Sequence, residues 1–401
     1  MLRSISVNQE KIYKLICFLF SFATTTVFTI NILYQMQVAK LSPLQLVLVG
    51  TCLEATCFLF EIPTGIIADR FSRKLSIIIG FALIGCGFIL EGSVPVFIFI
   101  AIAQIIWGIG YTCISGALEA WVIDETGKDT LFISGAKNAS IGQFLGILVS
   151  VALAQITLNF PIVFGGIVLI ALSILLILFM TERPYNKVME KNEKNYFVNI
   201  FESIYKTVKA NHTLAILFII ALFLGLYSEG FDRLWGTLIL NTEEFTDSNG
   251  IYIFGAIAAI TAIIGFLTFN KIETTAEKTN INIINNILIY ICLVIIIGLC
   301  LMTFIKNGYV LMLLVIIINL SRSIIEPFET IWFNNLITDS NNRATILSIK
   351  GQVGALGQIG SGPLMGIFSI FMPLRFIFIL SAIIFSPTML LFIYIKNKVQ
   401  K

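Results

Sequence analysis

A single histidine, His212, in 401 residues leaves acid–base or zinc chemistry built on imidazole almost nothing to work with. Charge is also scarce. Only 12% of the residues are Asp, Glu, Lys or Arg, against roughly 25% in soluble domains, which excludes a cytosolic globular enzyme. Basic and acidic residues nearly balance, 26 against 23, so no global field draws in nucleic acid. The seven cysteines (Cys17, Cys52, Cys57, Cys86, Cys113, Cys292, Cys300) are odd in number and sit inside apolar runs. They read as small core residues, not as a disulfide framework or metal site. Walker loop, nucleophile elbow and metal-ligand cluster are all missing, so neither an enzyme nor a bound cofactor is expected.

What the chain has in abundance is apolar sequence, 57% of it. Runs bounded by charge, Pro or Asn clusters predict twelve spans, at 12–34, 44–66, 75–92, 95–123, 137–158, 161–181, 213–240, 250–269, 283–304, 309–337, 345–371 and 375–395. The first follows Arg3, Lys11 and Lys14 but runs into Tyr34-Gln35-Met36-Gln37 without a small-x-small cleavage site, and is read as a retained span.

Lys and Arg give the orientation, because positive loops stay on the cytoplasmic side. With an inside N-terminus, 21 of the 26 basic residues fall in inside segments and only Lys40, Lys306 and Arg375 outside. That split predicts a multi-pass cell-membrane protein with both termini cytoplasmic. The fold expected is an all-α polytopic membrane protein, twelve transmembrane helices in two six-helix bundles around a central cavity. Residues 1–181 would form the N-terminal bundle, 182–212 a solvated cytoplasmic linker with an amphipathic helix around Tyr196–Val208, and 213–401 the C-terminal bundle. The halves are weakly alike. SGALEAWVIDE, Lys137 and Gly142-Gln143 parallel EPFETIWFNN, Lys350 and Gly357-Gln358.

The second span ends in GIIADRFSRK, Gly65 to Lys74. Here the chain resembles the major facilitator superfamily, whose loop after helix 2 carries G-x-x-x-D-R-x-G-R-K. Gly65, Asp69, Arg70, Arg73 and Lys74 match, and Ser72 replaces the second glycine. In such a loop the glycine admits close helix approach, while Asp and Arg can pair with helix ends and the facing bundle. Glu119 and Asp124, at the cytoplasmic end of the fourth span, are the expected partners of Arg70 or Arg73. The longer string Glu61-x-Pro63, then Asp69, then Arg73-Lys74 is similar to the drug-exporter branch that includes clostridial-type tetracycline efflux and macrolide efflux proteins. Two features of drug:proton antiporters are absent. Gln104 stands where their arginine precedes Gly108, and 142–155 lacks the fifth-helix Gly-Pro pair, which occurs instead as Gly362-Pro363.

A charge inside a bilayer costs ~2.5–3.5 kcal/mol on insertion scales and asks for a reason. Glu54 and Glu61 share a face of the second span, seven residues apart. Glu229, Asp232 and Arg233 lie in the seventh, and Arg322, Glu326 and Glu329 in the tenth. Glu54, Glu61, Glu229, Asp232, Arg322 and Glu326 are the candidate substrate-binding and proton-coupling residues. The plainer roles are structural: a hydrogen bond or a pair with an arginine of the other bundle for Glu54 and Glu61, a local ion pair at the outer gate among Glu229, Asp232 and Arg233, and a self-neutralised Arg322–Glu326 pair. Glu91 reads as a solvated residue at the outer end of the third span. Asn31, Tyr34, Gln35, Trp107, Tyr111, Tyr227, Trp235, Asn319 and Trp332 are polar candidates for a cavity lining, or packing residues and interface anchors.

The resemblance implies a monomeric exporter of amphipathic drugs, tetracycline-like or macrolide-like, with the lipid bilayer as its other partner. The proton gradient as driving force is expected from the buried carboxylates, where a proton and a drug would compete, and not from the antiporter motifs. A carrier of the same fold for a sugar, peptide, siderophore or lipid precursor is the alternative, and a membrane sensor without transport is a third.

Overall fold

In a hydrocarbon core only a helix satisfies every backbone N–H and C=O within its own segment, and long apolar runs adopt it throughout. The computed structural model describes residues 2–128, 130–183, 209, 212–245, 249–276, 281–336 and 340–399. Among these the regular elements are fourteen α-helices. They are α1 (Leu2–Phe28), α2 (Asn31–Gln37), α3 (Pro43–Arg70), α4 (Arg73–Ser93), α5 (Phe97–Ile114), α6 (Ala117–Thr126), α7 (Leu131–Ala154), α8 (Phe160–Phe179), α9 (His212–Leu240), α10 (Gly250–Ala276), α11 (Ile281–Phe304), α12 (Gly308–Leu336), α13 (Ser340–Phe371) and α14 (Arg375–Val399). They supply twelve segments long and apolar enough to cross a membrane, α1 with α2 and α5 with α6 each making one. The expected spans match them closely. The fifth begins six residues earlier than expected, at Leu131, and ends at Ala154, because Lys137 is carried inside the helix. The postulated helix at Tyr196–Val208 lies outside the described residues.

Local chemistry sets the ends. Ser42 caps α3 in a reciprocal box, its hydroxyl accepting from the Gln45 N–H at 3.3 Å while the Gln45 side chain accepts from the Ser42 N–H at 2.9 Å, with Pro43 in the first turn. Gly116, at φ +72°, divides the fourth span into α5 and α6, and Gly127, at φ +67°, ends α6 in the left-handed conformation. The bilayer-facing surface is plain on α8, where Ile167, Ile174, Ile177 and Leu178 are more than half exposed. An apolar stripe of that kind belongs against lipid.

The helices cluster into two compact units, Met1–Lys187 with Thr246–Ala259, and Val188–Phe245 with Ile260–Lys401. In the first, α1 packs on α7 and α8, and α4 on α5 and α8. In the second, α9 packs on α13 and α14, and α11 on α12 and α14. Counted in spans, this is one scheme used twice: first on fifth and sixth, third on fourth and sixth. The Gly-Gln likeness falls at the tightest of these crossings. A Cβ on Gly142 would lie 2.3 Å from the carbonyl oxygen of Phe18, and one on Gly357 would lie 2.4 Å from that of Leu222. Small residues let backbones approach within van der Waals contact, which drives helix association where water is absent.

Candidate transport and gating site

The α3–α4 turn carries most of the motif. Asp69 and Arg73 are one helical turn apart in number, and Arg73 Nε and Nη2 meet Asp69 Oδ1 at 3.2 and 3.1 Å. Arg73 Nη1 also pairs with Asp124 on α6, so one guanidinium holds two carboxylates from two elements. Arg70 is exposed and Lys74 half-buried. Glu119 is exposed and, unlike Asp124, takes no part in an ion pair with Arg70 or Arg73. It sits nearly a turn and a half of helix before Asp124, too far along α6 for the same guanidinium. Among the described residues Gly65 is not at a close helix approach: a Cβ there would meet none of their heavy atoms within 4 Å.

Ser72, the departure from the motif, has a definite task. Its hydroxyl caps α4 by accepting from the Leu75 N–H at 3.0 Å and donates to Glu182. Glu182 in turn accepts from the Arg73 N–H at 2.8 Å, placing a carboxylate on the positive end of α4. The next residue is also tied down. The Arg183 N–H donates to buried Glu125 at 2.6 Å, and Trp121 Nε1 donates to the Thr181 carbonyl at 2.9 Å. Gln9 on α1 donates to Thr181 Oγ1 at 2.7 Å. The start of the stretch expected to be a solvated linker is therefore fixed to α1, α4 and α6. Glu182 and Glu125 were not among the sequence candidates; the available signal was a carboxylate directly after an apolar run on the inside.

Glu54 and Glu61 both lie on α3 and are half-buried. Glu61 accepts from the Ser115 hydroxyl at 2.9 Å, just past the end of α5. The helix beside it is tied to α5 by Thr64, whose hydroxyl donates to the Thr112 carbonyl at 3.0 Å. Cβ of Thr56 lies 3.0 Å from where a Cβ on Gly108 would stand, so Gly108 lets α5 lie against the face of α3 between the two glutamates.

In the second unit Arg322 has its carboxylate partner on another helix. It forms a two-pronged pair with Asp232 of α9, Nη2 to Oδ2 at 2.8 Å and Nη1 to Oδ1, with its guanidinium carbon 5.6 Å from the Tyr227 ring and 5.4 Å from the Phe231 ring. A planar fork matched to a carboxylate and stacked among aromatic faces suits a guanidinium. Glu229 is buried and accepts from Arg233 Nε at 3.0 Å. Of the expected local group, Glu229 and Arg233 pair with each other, while Asp232 also reaches across to Arg322. The side chain of Glu326, and that of Trp332, lie outside the described residues. Glu329, also buried, pairs with Lys350 Nζ at 2.8 Å, joining α12 to α13.

Glu91 is the clearest correction. It is 1% exposed, not solvated. Gln35 Nε2 donates to its Oε1 at 2.7 Å and Gln104 Nε2 to its Oε2 at 2.9 Å. Asn31, Tyr34 and Gln35 are buried inside the first unit and Tyr227 inside the second; Tyr111 is exposed, and Trp107, Trp235 and Asn319 are half-buried. All seven cysteines are free thiols, and among the described residues none of the His, Cys, Asp and Glu clusters could hold a metal.

With this geometry in hand, comparison with known proteins is direct. The family described as Major Facilitator Superfamily matches residues 15–362. An uncharacterised MFS-type transporter of Bacillus subtilis (strain 168), YxaM, is 26% identical over 360 residues, covering 85% of this chain and 84% of that protein. The crystal structure of a nucleoside transporter, NupG, superposes with a TM-score of 0.77 at 15% identity, covering 96% of this chain and 98% of that one. A bacterial homologue of the human lysosomal transporter Spinster, inward-facing and unoccupied, gives 0.73 at 15% identity, covering 99% and 97%. The family and these neighbours are transporters, not enzymes.

Proposed function

Because the chain belongs to the major facilitator superfamily and is a multi-pass membrane transporter, we propose that it exports amphipathic drugs, tetracycline-like or macrolide-like, by proton antiport through alternating access. It works as a monomer in the cell membrane with both termini cytoplasmic and needs no cofactor beyond the proton gradient. The observation that carries this reading is Glu61. Inside a membrane-spanning helix its carboxylate is held by a neutral hydroxyl, that of Ser115, and no ion pair within 4 Å among the described residues neutralises it. Half-buried, it is open both to a proton and to a cationic group on a substrate. Glu54, on the same face, shares the task. A proton and a drug competing for these carboxylates produce exchange without further parts. Glu229, Asp232, Arg322 and Glu326 complete the charged lining of the pathway, and Gly65, Asp69, Arg70, Arg73, Lys74, Glu119 and Asp124 act as the cytoplasmic gate.

The second reading, a carrier of a physiological metabolite, is favoured by Gln104. It stands where the drug:proton antiporters carry arginine, and its amide is engaged by Glu91, so the charge that those proteins use at this place is missing. Drug accumulation in a susceptible host, with and without a protonophore, separates the two. The exporter lowers accumulation, the protonophore abolishes the effect, and Glu61→Gln and Glu54→Gln impair it. An intact protein that lowers accumulation of no compound in a broad panel rules out drug export.

A further inference from the structure

Glu91 lies at the end of α4 opposite Arg73, two residues before exposed Ser93. Around it, α2 brings Tyr34 and Gln35, α5 brings Gln104, and α8 sets Ile162 and Val163 against the adjoining Gly92. Tyr34, whose hydroxyl donates to the Glu91 backbone carbonyl at 2.5 Å, is the titratable side chain among these; the others are neutral. Gln35 donates an amide N–H to one carboxylate oxygen and Gln104 to the other, bonds that suit an ionised carboxylate.

The amides themselves are half used. Gln35 Oε1, Gln104 Oε1 and the nearby Asn31 Oδ1 are buried acceptors without a donor, on side chains 0%, 2% and 4% exposed. A cross-link that served only to hold three helices together gains nothing from three bare buried acceptors, since each is desolvated with no hydrogen bond in return. They are the groups that a protonated Glu91 requires. A carboxylic acid must donate an O–H, and half a turn of either amide presents an oxygen to receive it.

We propose that Glu91, Gln35 and Gln104 form a proton-binding site at this end of the first unit, separate from Glu54 and Glu61. A proton from water beside Ser93 bonds to one carboxylate oxygen and the site passes from one negative charge to none. One N–H···O bond is exchanged for an O–H···O=C bond, and no electrons are transferred. The site does not depend on a drug being the cargo, because it binds protons in the absence of any substrate.

Infrared difference spectra of the intact chain in lipid vesicles, taken between alkaline and acidic buffer, test it. A protonated-carboxyl band assigned to Glu91 appears on acidification, is missing from Glu91→Gln, and is retained in Glu54→Gln and Glu61→Gln, each of which loses a separate component of its own. Gln104→Met, which keeps the bulk and removes the amide, shifts the frequency of that band because one hydrogen-bond partner is gone. If Glu91→Gln does not fold, Gln104→Met decides alone, and an unshifted band overturns the proposal. It is overturned equally by a folded Glu91→Gln that keeps the wild-type band, or by a site that answers to sodium at fixed pH and not to pH itself.

Discussion

Arg322 and Asp232 sit face to face across α12 and α9, guanidinium against carboxylate with both prongs made, although 90 residues separate them in the chain. Their side chains are 25% and 39% exposed, so the pair joins two helices while remaining in reach of water. Opening it releases a cation and an anion together.

The first prediction follows from that fork. Asp232→Asn leaves Arg322 without its counter-ion and lowers unfolding stability by about 1.5–3 kcal/mol, the range for hydrogen bonds to charged groups. Arg322→Lys, which offers a point charge in place of a fork, also destabilises. The reversed pair, Asp232→Arg with Arg322→Asp, recovers part of the loss. Thermal unfolding of purified protein in lipid nanodiscs measures all three, and strict additivity in the reversed pair would show that the two residues are not coupled.

At the opposite end of the sequence, Arg73 shares its charge between Asp69 and Asp124. Asp69→Asn abolishes transport while expression stays near normal, because a gate that cannot latch does not complete the cycle even when the helices fold. Asp124→Asn impairs transport less, since Arg73 keeps its partner on α3. Undiminished transport by Asp69→Asn would refute the gate.

The carboxylate of Glu182 sits on the first turn of α4. Glu182→Gln weakens both the cap and the interaction with the helix dipole, at about 0.5–2 kcal/mol. Ser72→Gly, which restores the residue of the family motif, removes the hydroxyl that Glu182 and Leu75 share and lowers the unfolding temperature in the same direction. If Ser72→Gly is the more stable protein, the cap does not hold the end of the bundle.

Much of the fold was legible because bilayer thickness and apolar run length are one-dimensional quantities: the seventh and ninth spans, expected at 213–240 and 283–304, begin and end on those residues. Partnership was less legible. Asp124 and Arg73, at the cytoplasmic ends of two different spans, are brought together by topology alone. Arg322 has a carboxylate at 326, one turn away on its own helix, and nothing in the spacing points to Asp232, 90 residues earlier in the chain. Glu91 follows a similar logic, since a glutamate near the end of a span reads as solvated until the amides of Gln35 and Gln104 are seen to close over it. Gly65, the motif glycine, has open space beside it among the described residues, whereas backbones touch at Gly225, ordinary in sequence, and at Gly357, marked there only by the likeness between the halves.

That contrast supplies the last prediction. A Cβ on Gly357 would lie 2.4 Å from the Leu222 carbonyl and 2.8 Å from the Leu226 nitrogen, and one on Gly225 would lie 2.1 Å from the Gly354 carbonyl. These are backbone atoms, which cannot rotate away as a side-chain tip would. Gly357→Ala and Gly225→Ala therefore push α9 and α13 apart, at about 1–3 kcal/mol as in other overpacked cores. On the same α13, a Cβ on Gly351 meets nothing within 4 Å. Gly351→Ala removes backbone freedom from the unfolded chain and gains roughly 0.5–1 kcal/mol. Gly65→Ala has equally open space around it and does not lower the unfolding temperature. A fall in transport by Gly65→Ala at unchanged stability would locate its close approach in another conformation of the cycle. Equal unfolding temperatures for Gly357→Ala and Gly351→Ala would mean that the α9–α13 crossing is looser than these distances require.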